Sequence, residues 1–250
     1  MEGTKYKIAG LIVLLIFTFV GATAQKKDLA YYQCAFFESY KAGNMAPWPS
    51  LIAEMEKVKS TDIVWQTEMV KAMYGLVGYQ MGAKKKDLAR AYVNKADVYL
   101  DRLLKDYPKN PQLHSLVGAF YGYKIGLAFY KAPFLGPKCM YHMDKAIELD
   151  PHEPMGYIEQ GNSLLYRPAA FGGDKMKALK MYRKALKLME GRNTQKCDWQ
   201  QMLLRAFILK ALYETNQTAQ ADAFMLAMQI DYGSMDWIKS FVGANPMEGK

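Results

Sequence analysis

Residues 154–190 read PMGYIEQGNSLLYRPAAFGGDKMKALKMYRKALKLME, and they decide the fold. In the second half, Ala178, Leu179, Tyr182, Ala185, Leu186 and Met189 recur at helical spacing and share one face. Lys177, Lys180, Arg183, Lys184 and Lys187 fall mainly toward solvent. Asp174 is placed to cap this helix and Gly191 to stop it. In the first half, Tyr157, Ile158, Gly161, Leu164 and Leu165 form a shorter apolar stripe. Glycine costs helix propensity, so Gly161 predicts the close approach of another backbone. Pro168 disfavours helix just before it, and Gly172-Gly173 turns the chain. The stretch therefore predicts an antiparallel helix pair with a long corner.

These residues resemble a tetratricopeptide repeat. That family pairs an aromatic and a small residue on its first helix with small–aromatic–small positions on its second. Tyr157, Gly161, Ala178, Tyr182 and Ala185 take those places. The spacing from Gly161 to Ala178 is about five residues longer than in the common repeat unit. The extra length is RPAAFGGD, and its Phe-Gly-Gly-Asp corner is similar to a variant of exported bacterial repeat proteins. The resemblance implies an α-solenoid whose first helices line a concave binding face.

Other stretches carry the same pattern. Ala89, Val93 and Ala96 repeat the spacing of Ala178, Tyr182 and Ala185, and so do Cys139, Met143 and Ala146. The last triplet lies 39 residues before its counterpart. APFLGPK at 132–138 echoes AAFGGDK at 169–175 and reads as a second corner of the same type. Residues 199–213 and 218–230 read as a degenerate pair. Strand alternation bounded by turn residues is missing. The expected fold is all-α, a solenoid of antiparallel helix pairs with capping helices at both ends. The expected division is a signal peptide at 1–24, capping helices at 25–60 and repeats at 61–242, with a tail at 243–250. The approximate units are 61–108, 112–151, 154–191 and 196–231.

The first residues carry Lys5 and Lys7, then an uncharged run from Ile8 to Val20, then Ala22-Thr23-Ala24. This predicts an exported chain cleaved before Gln25. The run is shorter than the roughly 20 residues that span a bilayer, so no stable transmembrane segment is expected after cleavage. Export places the protein in the periplasm or cell envelope. Removing 1–24 leaves 31 Lys and Arg against 23 Asp and Glu, a net charge of +8. That moderate charge suits ordinary solubility as well as an anionic partner. Cys34, Cys139 and Cys197 are odd in number and far apart. All three read as small buried residues, with one disulfide pair left open.

Catalytic and metal chemistry find little support. His114, His142 and His152 lack the HExxH or CxxC spacing of a metal site. Gly172-Gly173 before Lys175 has neither the strand nor the GK[ST] of a phosphate loop and reads as a structural corner. No serine sits in a GxSxG elbow, and carboxylate pairs such as Glu54/Glu56 fall on polar helix faces. No enzyme activity, cofactor or metal is expected. The basic face of 177–187 lies on a second helix, on the convex side, and export argues against nucleic acid. The asparagine of Asn216-Gln217-Thr218 heads a glycosylation sequon expected to go unused in a bacterial envelope.

Aromatics are the remaining signal, with 18 Tyr, 11 Phe and 4 Trp. Tyr121, Tyr130, Phe134, Tyr166 and Phe171 fall on first helices or their corners and are the candidate partner- or ligand-binding residues. Packing of most rings into the core is the competing expectation. The function expected is a non-catalytic scaffold for a protein or peptide partner. The alternative is an accessory subunit of an envelope transport system that binds a solute or small hydrophobic ligand.

Overall fold

The computed structural model describes residues 27–192 and 197–243. The expected signal peptide lies outside the described residues, as does nearly all of the expected tail. Among the described residues there are eleven α-helices and no strand. They are α1 (Leu29–Lys41), α2 (Trp48–Lys57), α3 (Ile63–Gly82), α4 (Lys86–Asp106), α5 (Pro111–Leu127) and α6 (Ala132–Leu149). There follow α7 (Pro154–Tyr166), α8 (Lys175–Glu190), α9 (Trp199–Glu214), α10 (Thr218–Tyr232) and α11 (Trp237–Val242).

Helix starts follow simple capping chemistry. The side chains of Asp62, Asn110, Glu153, Asp174 and Asp198 accept from backbone N–H groups of the first turns they precede. Pro111 and Pro154 occupy first helical positions, where their missing N–H costs nothing. Helices α3 to α10 pack as four consecutive pairs, and each pair stacks on the next through α4–α5, α6–α7 and α8–α9. The small–large–small triplets face inward. Ala89, Val93 and Ala96 are buried, as are Cys139, Met143 and Ala146, and Ala178, Tyr182 and Ala185.

Three expectations change. First, a Cβ on Gly161 would collide with the Tyr182 ring, so the glycine admits a side chain and not a second backbone. Second, APFLGPK is not a corner. It forms the first two turns of α6, with Pro137 inside the helix, and the turn itself is a 3₁₀ segment at Phe129–Lys131. Pro133 falls where backbone N–H groups have no intrahelical partner, whereas Pro137 forgoes one bond, to the Pro133 carbonyl.

The third change concerns the ends. Helix α1 does not cap only the first pair. It packs on α2 and α3 and also on α9. Cys34 of α1 forms a disulfide with Cys197, just before α9. The Trp237 indole N–H donates to the Lys41 carbonyl at 3.2 Å. Trp48 and Trp199 meet edge to face at 5.1 Å, and Tyr40 touches both rings and Trp237. A Cβ on Gly75 of α3 would lie 2.7 Å from Trp48 and 2.8 Å from Trp199. Rings from both ends of the chain thus meet beside α3.

Candidate functional site

The predicted aromatic residues divide between two places. Consecutive pairs stack on one another, and the α5–α6 and α7–α8 corners meet at one edge. Tyr130 and Phe134 flank the α5–α6 turn, and Phe171 lies in the 3₁₀ turn Ala169–Phe171 between α7 and α8. They are 77%, 76% and 67% exposed. Phe129, which sequence reasoning missed, is also exposed and meets Phe171 at 6.4 Å between ring centroids. That contact joins the two corners. Tyr166 closes α7 and is exposed, and its ring approaches Phe207 of α9 at 6.5 Å. Phe207 in turn stacks on Tyr182 at 5.5 Å and meets Phe241 of α11.

Tyr121 stands apart from this edge. It is partly buried on α5, with the Lys124 ammonium 4.9 Å above its ring and the ring of His142 5.9 Å away. Lys124 also pairs with Asp97 of α4 at 2.8 Å. His142 approaches His114 of α5, with their Nδ1 atoms 3.0 Å apart. The His114 Nε2 lies 3.0 Å from the carbonyl of Pro108. Burial, and then the neighbouring His114, pushes His142 down to about 4. Tyr141 packs edge-on to His142 at 5.2 Å. The helical register carried the signal for this pair: Gly118 packs against Met143, which sets His114 and His142 on facing sides of α5 and α6.

Between the first helices lies a buried polar group that the sequence did not reveal. Glu159 of α7 is 3% exposed and forms no ion pair among the described residues. Asn162 Nδ2 lies 3.3 Å from both of its carboxylate oxygens and 3.3 Å from the Tyr74 hydroxyl. The Tyr182 hydroxyl donates to Asn162 Oδ1 at 2.8 Å, and the Tyr123 hydroxyl donates to the Tyr74 carbonyl at 3.0 Å. Burial raises Glu159 to about 7, against the lowering effect of its bonds to Tyr74 and Asn162. This network ties α3, α5, α7 and α8 together and gives them a specific register.

Two surface hollows lie elsewhere, along α8. One, of about 430 Å³, is floored by Leu186, Ile208, Leu212 and Phe224, with Arg183 and Lys187 on its rim. The second, of about 590 Å³, is bordered by Lys184, Lys187, Arg192 and His152. The described residues contain no group of three or more His, Cys, Asp or Glu that could hold a metal ion. No helix among them is long and apolar enough to cross a membrane. The remaining cysteine, Cys139, is buried with its thiol donating to the Gly118 carbonyl, and burial pushes it up to about 12.

No protein-family model matches the chain, and no curated protein matches it. Among solved structures, the chain is similar to the HusA haemophore from Porphyromonas gingivalis, with a TM-score of 0.61 and 17% sequence identity. The alignment covers 76% of this chain and 96% of that one. At that identity the likeness is one of fold, an all-α arrangement of stacked helix pairs.

Proposed function

We propose that this chain is a non-catalytic carrier of a large, flat, mainly apolar ligand of the porphyrin class, exported to the cell envelope. The observation that carries the reading is the set of exposed rings Phe129, Tyr130, Phe134, Tyr166 and Phe171 at the α5–α6 and α7–α8 corners, with Phe129 and Phe171 in contact. Exposed aromatic surface of this kind marks a binding site, and each ring covered by a ligand contributes about 2 kcal/mol. Two further facts support it. The neighbour in fold is a haemophore, and the Cys34–Cys197 disulfide suits an oxidising compartment. We read the four helix pairs as tetratricopeptide-like units, the third with an enlarged corner.

The carrier reading ranks above a scaffold for extended peptides. A scaffold of this type would use the concave groove, and Trp48, Trp199 and Tyr40 occupy that space next to α3. The test is a titration of the mature protein with iron protoporphyrin IX, followed by quenching of tryptophan fluorescence. Binding in the micromolar range or tighter is expected. Phe129→Ser with Phe171→Ser should weaken it by about tenfold or more at unchanged thermal stability. Equal affinity in the double variant would remove the corner edge as the site.

A further inference from the structure

We infer that Arg167 selects ligands that carry carboxylates, by receiving one carboxylate of the bound macrocycle on its guanidinium; the inference rests on the carrier reading above. Arg167 follows Tyr166 at the end of α7 and is partly buried. Its Nη2 donates to the Ser163 hydroxyl and lies 3.0 Å from the Met140 thioether of α6. Arg167 forms no ion pair among the described residues, and its Nη1 makes no hydrogen bond with them. A thioether is a weak acceptor, so a carboxylate oxygen can take its place on Nη2 while the second oxygen accepts from Nη1. Nη1 stands 3.9 Å from where a Cβ on Gly172 would be. Gly172 is exposed and has no side chain, so it leaves the guanidinium open beside Phe171. Phe171 is the ring that meets Phe129 where the two corners join.

The charge at both corners has one sign. Residues 125–143 hold Lys131 and Lys138, residues 160–173 hold Arg167, and neither stretch has an Asp or Glu. The carboxylates bordering them are engaged elsewhere. Asp174 pairs with Lys177 at 3.3 Å, Glu214 with Lys175 and Lys210 at 3.1 Å each, and Asp144 accepts from the Gln160 amide at 2.8 Å. A partly buried cation without a counterion is costly, and a ligand carboxylate would supply one. Of the three cations, Arg167 offers a planar fork that holds both oxygens, backed by Ser163 and Met140. Lys138 is exposed and offers only a hydrated point charge. Natural porphyrins bear ionised carboxylates on the rim of an apolar ring. A flat ring lying on Phe129 and Phe171 needs no enclosing hollow, and the guanidinium beside Gly172 is within reach of its rim.

The experiment uses the mature, oxidised protein and two metal-free probes, protoporphyrin IX and its dimethyl ester, in the same detergent and read by tryptophan quenching. The wild-type protein should bind the diacid about tenfold more tightly than the ester. Arg167→Gln should bring that ratio to about twofold or less by weakening the diacid alone. Arg167→Lys should keep part of the ratio, since it keeps the charge and loses the fork. Arg167 also stands at the C-terminal end of α7, where a cation suits the helix dipole. A purely structural role there would lower the thermal midpoint of Arg167→Gln and weaken both probes alike, with the ratio intact. That outcome would overturn the assignment, and so would equal affinity of the wild-type protein for the two probes. Either result leaves the carrier reading standing. Failure of both probes to bind the wild-type protein would overturn the two together.

Discussion

The α5–α6 and α7–α8 corners share residue types but not backbone. After α7, Pro168 is extended and Gly172 takes a φ of +88°, which favours glycine. Gly173 presses against the Arg167 carbonyl, and the Asp174 N–H returns to the Leu164 carbonyl at 3.0 Å. After α5, the chain makes one 3₁₀ turn and enters α6 at once. Gly136 sits inside that helix with open space around it. Two glycines followed by a capping aspartate build a turn, whereas one glycine between apolar residues and prolines does not prevent a helix. The echo in sequence thus fixes which residues of α6 and α8 face the core, and leaves the corners free to differ.

Substitutions at the two corners should separate them most clearly. Gly173→Ala drives a methyl group into the Arg167 carbonyl and should destabilise the protein by about 4 kcal/mol in urea unfolding. A loss below about 1 kcal/mol would mean that this corner can relax.

The two pairs also carry titrating groups of opposite sense, and pH distinguishes them. Glu159 in α7 is raised to about 7, so the folded state holds a proton that the unfolded chain releases near the ordinary carboxylate range. Its contribution is fully present at acid pH and lost as pH rises toward and through 7, by about 3 kcal/mol. His142 in α6 is lowered to about 4, so its effect runs the other way: stability falls as pH drops from the ordinary histidine range toward 4. In the wild-type chain the two slopes oppose each other between about pH 4.5 and 6.5. Glu159→Gln should expose the histidine slope, and His142→Gln the carboxylate slope. Unfolding midpoints across pH 4–8 that stay flat in both variants would sink this account.

Smaller changes complete the contrast. Asp174→Ala removes the side-chain acceptor for the Lys177 N–H and should cost about 1 kcal/mol. Lys131 is in the αR region rather than extended, and Pro133 has no N–H to donate, so Lys131→Asp gains no cap and should change stability by less than about 0.5 kcal/mol. Gly136→Ala should stabilise by about 0.5–1 kcal/mol, since a methyl group there meets nothing and helix propensity improves. Thermal melts of the three variants check the signs.

Much of this fold was legible because helical periodicity is local. Ala178, Tyr182 and Ala185 lie within eight residues, and so do their counterparts in α4 and α6. The features that escaped join distant parts of the chain. Asn162 and Tyr74 are 88 residues apart, and Cys34 and Cys197 are 163 apart. No pattern within one helix reveals which far helix it will face. The candidate site was legible in part. The exposed rings stood out by composition and position, but the contact of Phe129 with Phe171 depends on how the two pairs stack. The His114–His142 pair needed the register of α5 on α6.

The tie between α1 and α9 has a consequence for the order in which cysteines become available. During any N-to-C synthesis or export, Cys139 emerges long before Cys197, so Cys34 meets the wrong thiol first. Oxidation that outruns helix packing would trap a 34–139 pairing. Once α5 and α6 close, Cys139 is buried and poorly ionised, and it drops out as a competitor. Correct pairing therefore depends on the middle of the chain folding before its ends are joined, and a disulfide isomerase should matter most when oxidation is fast.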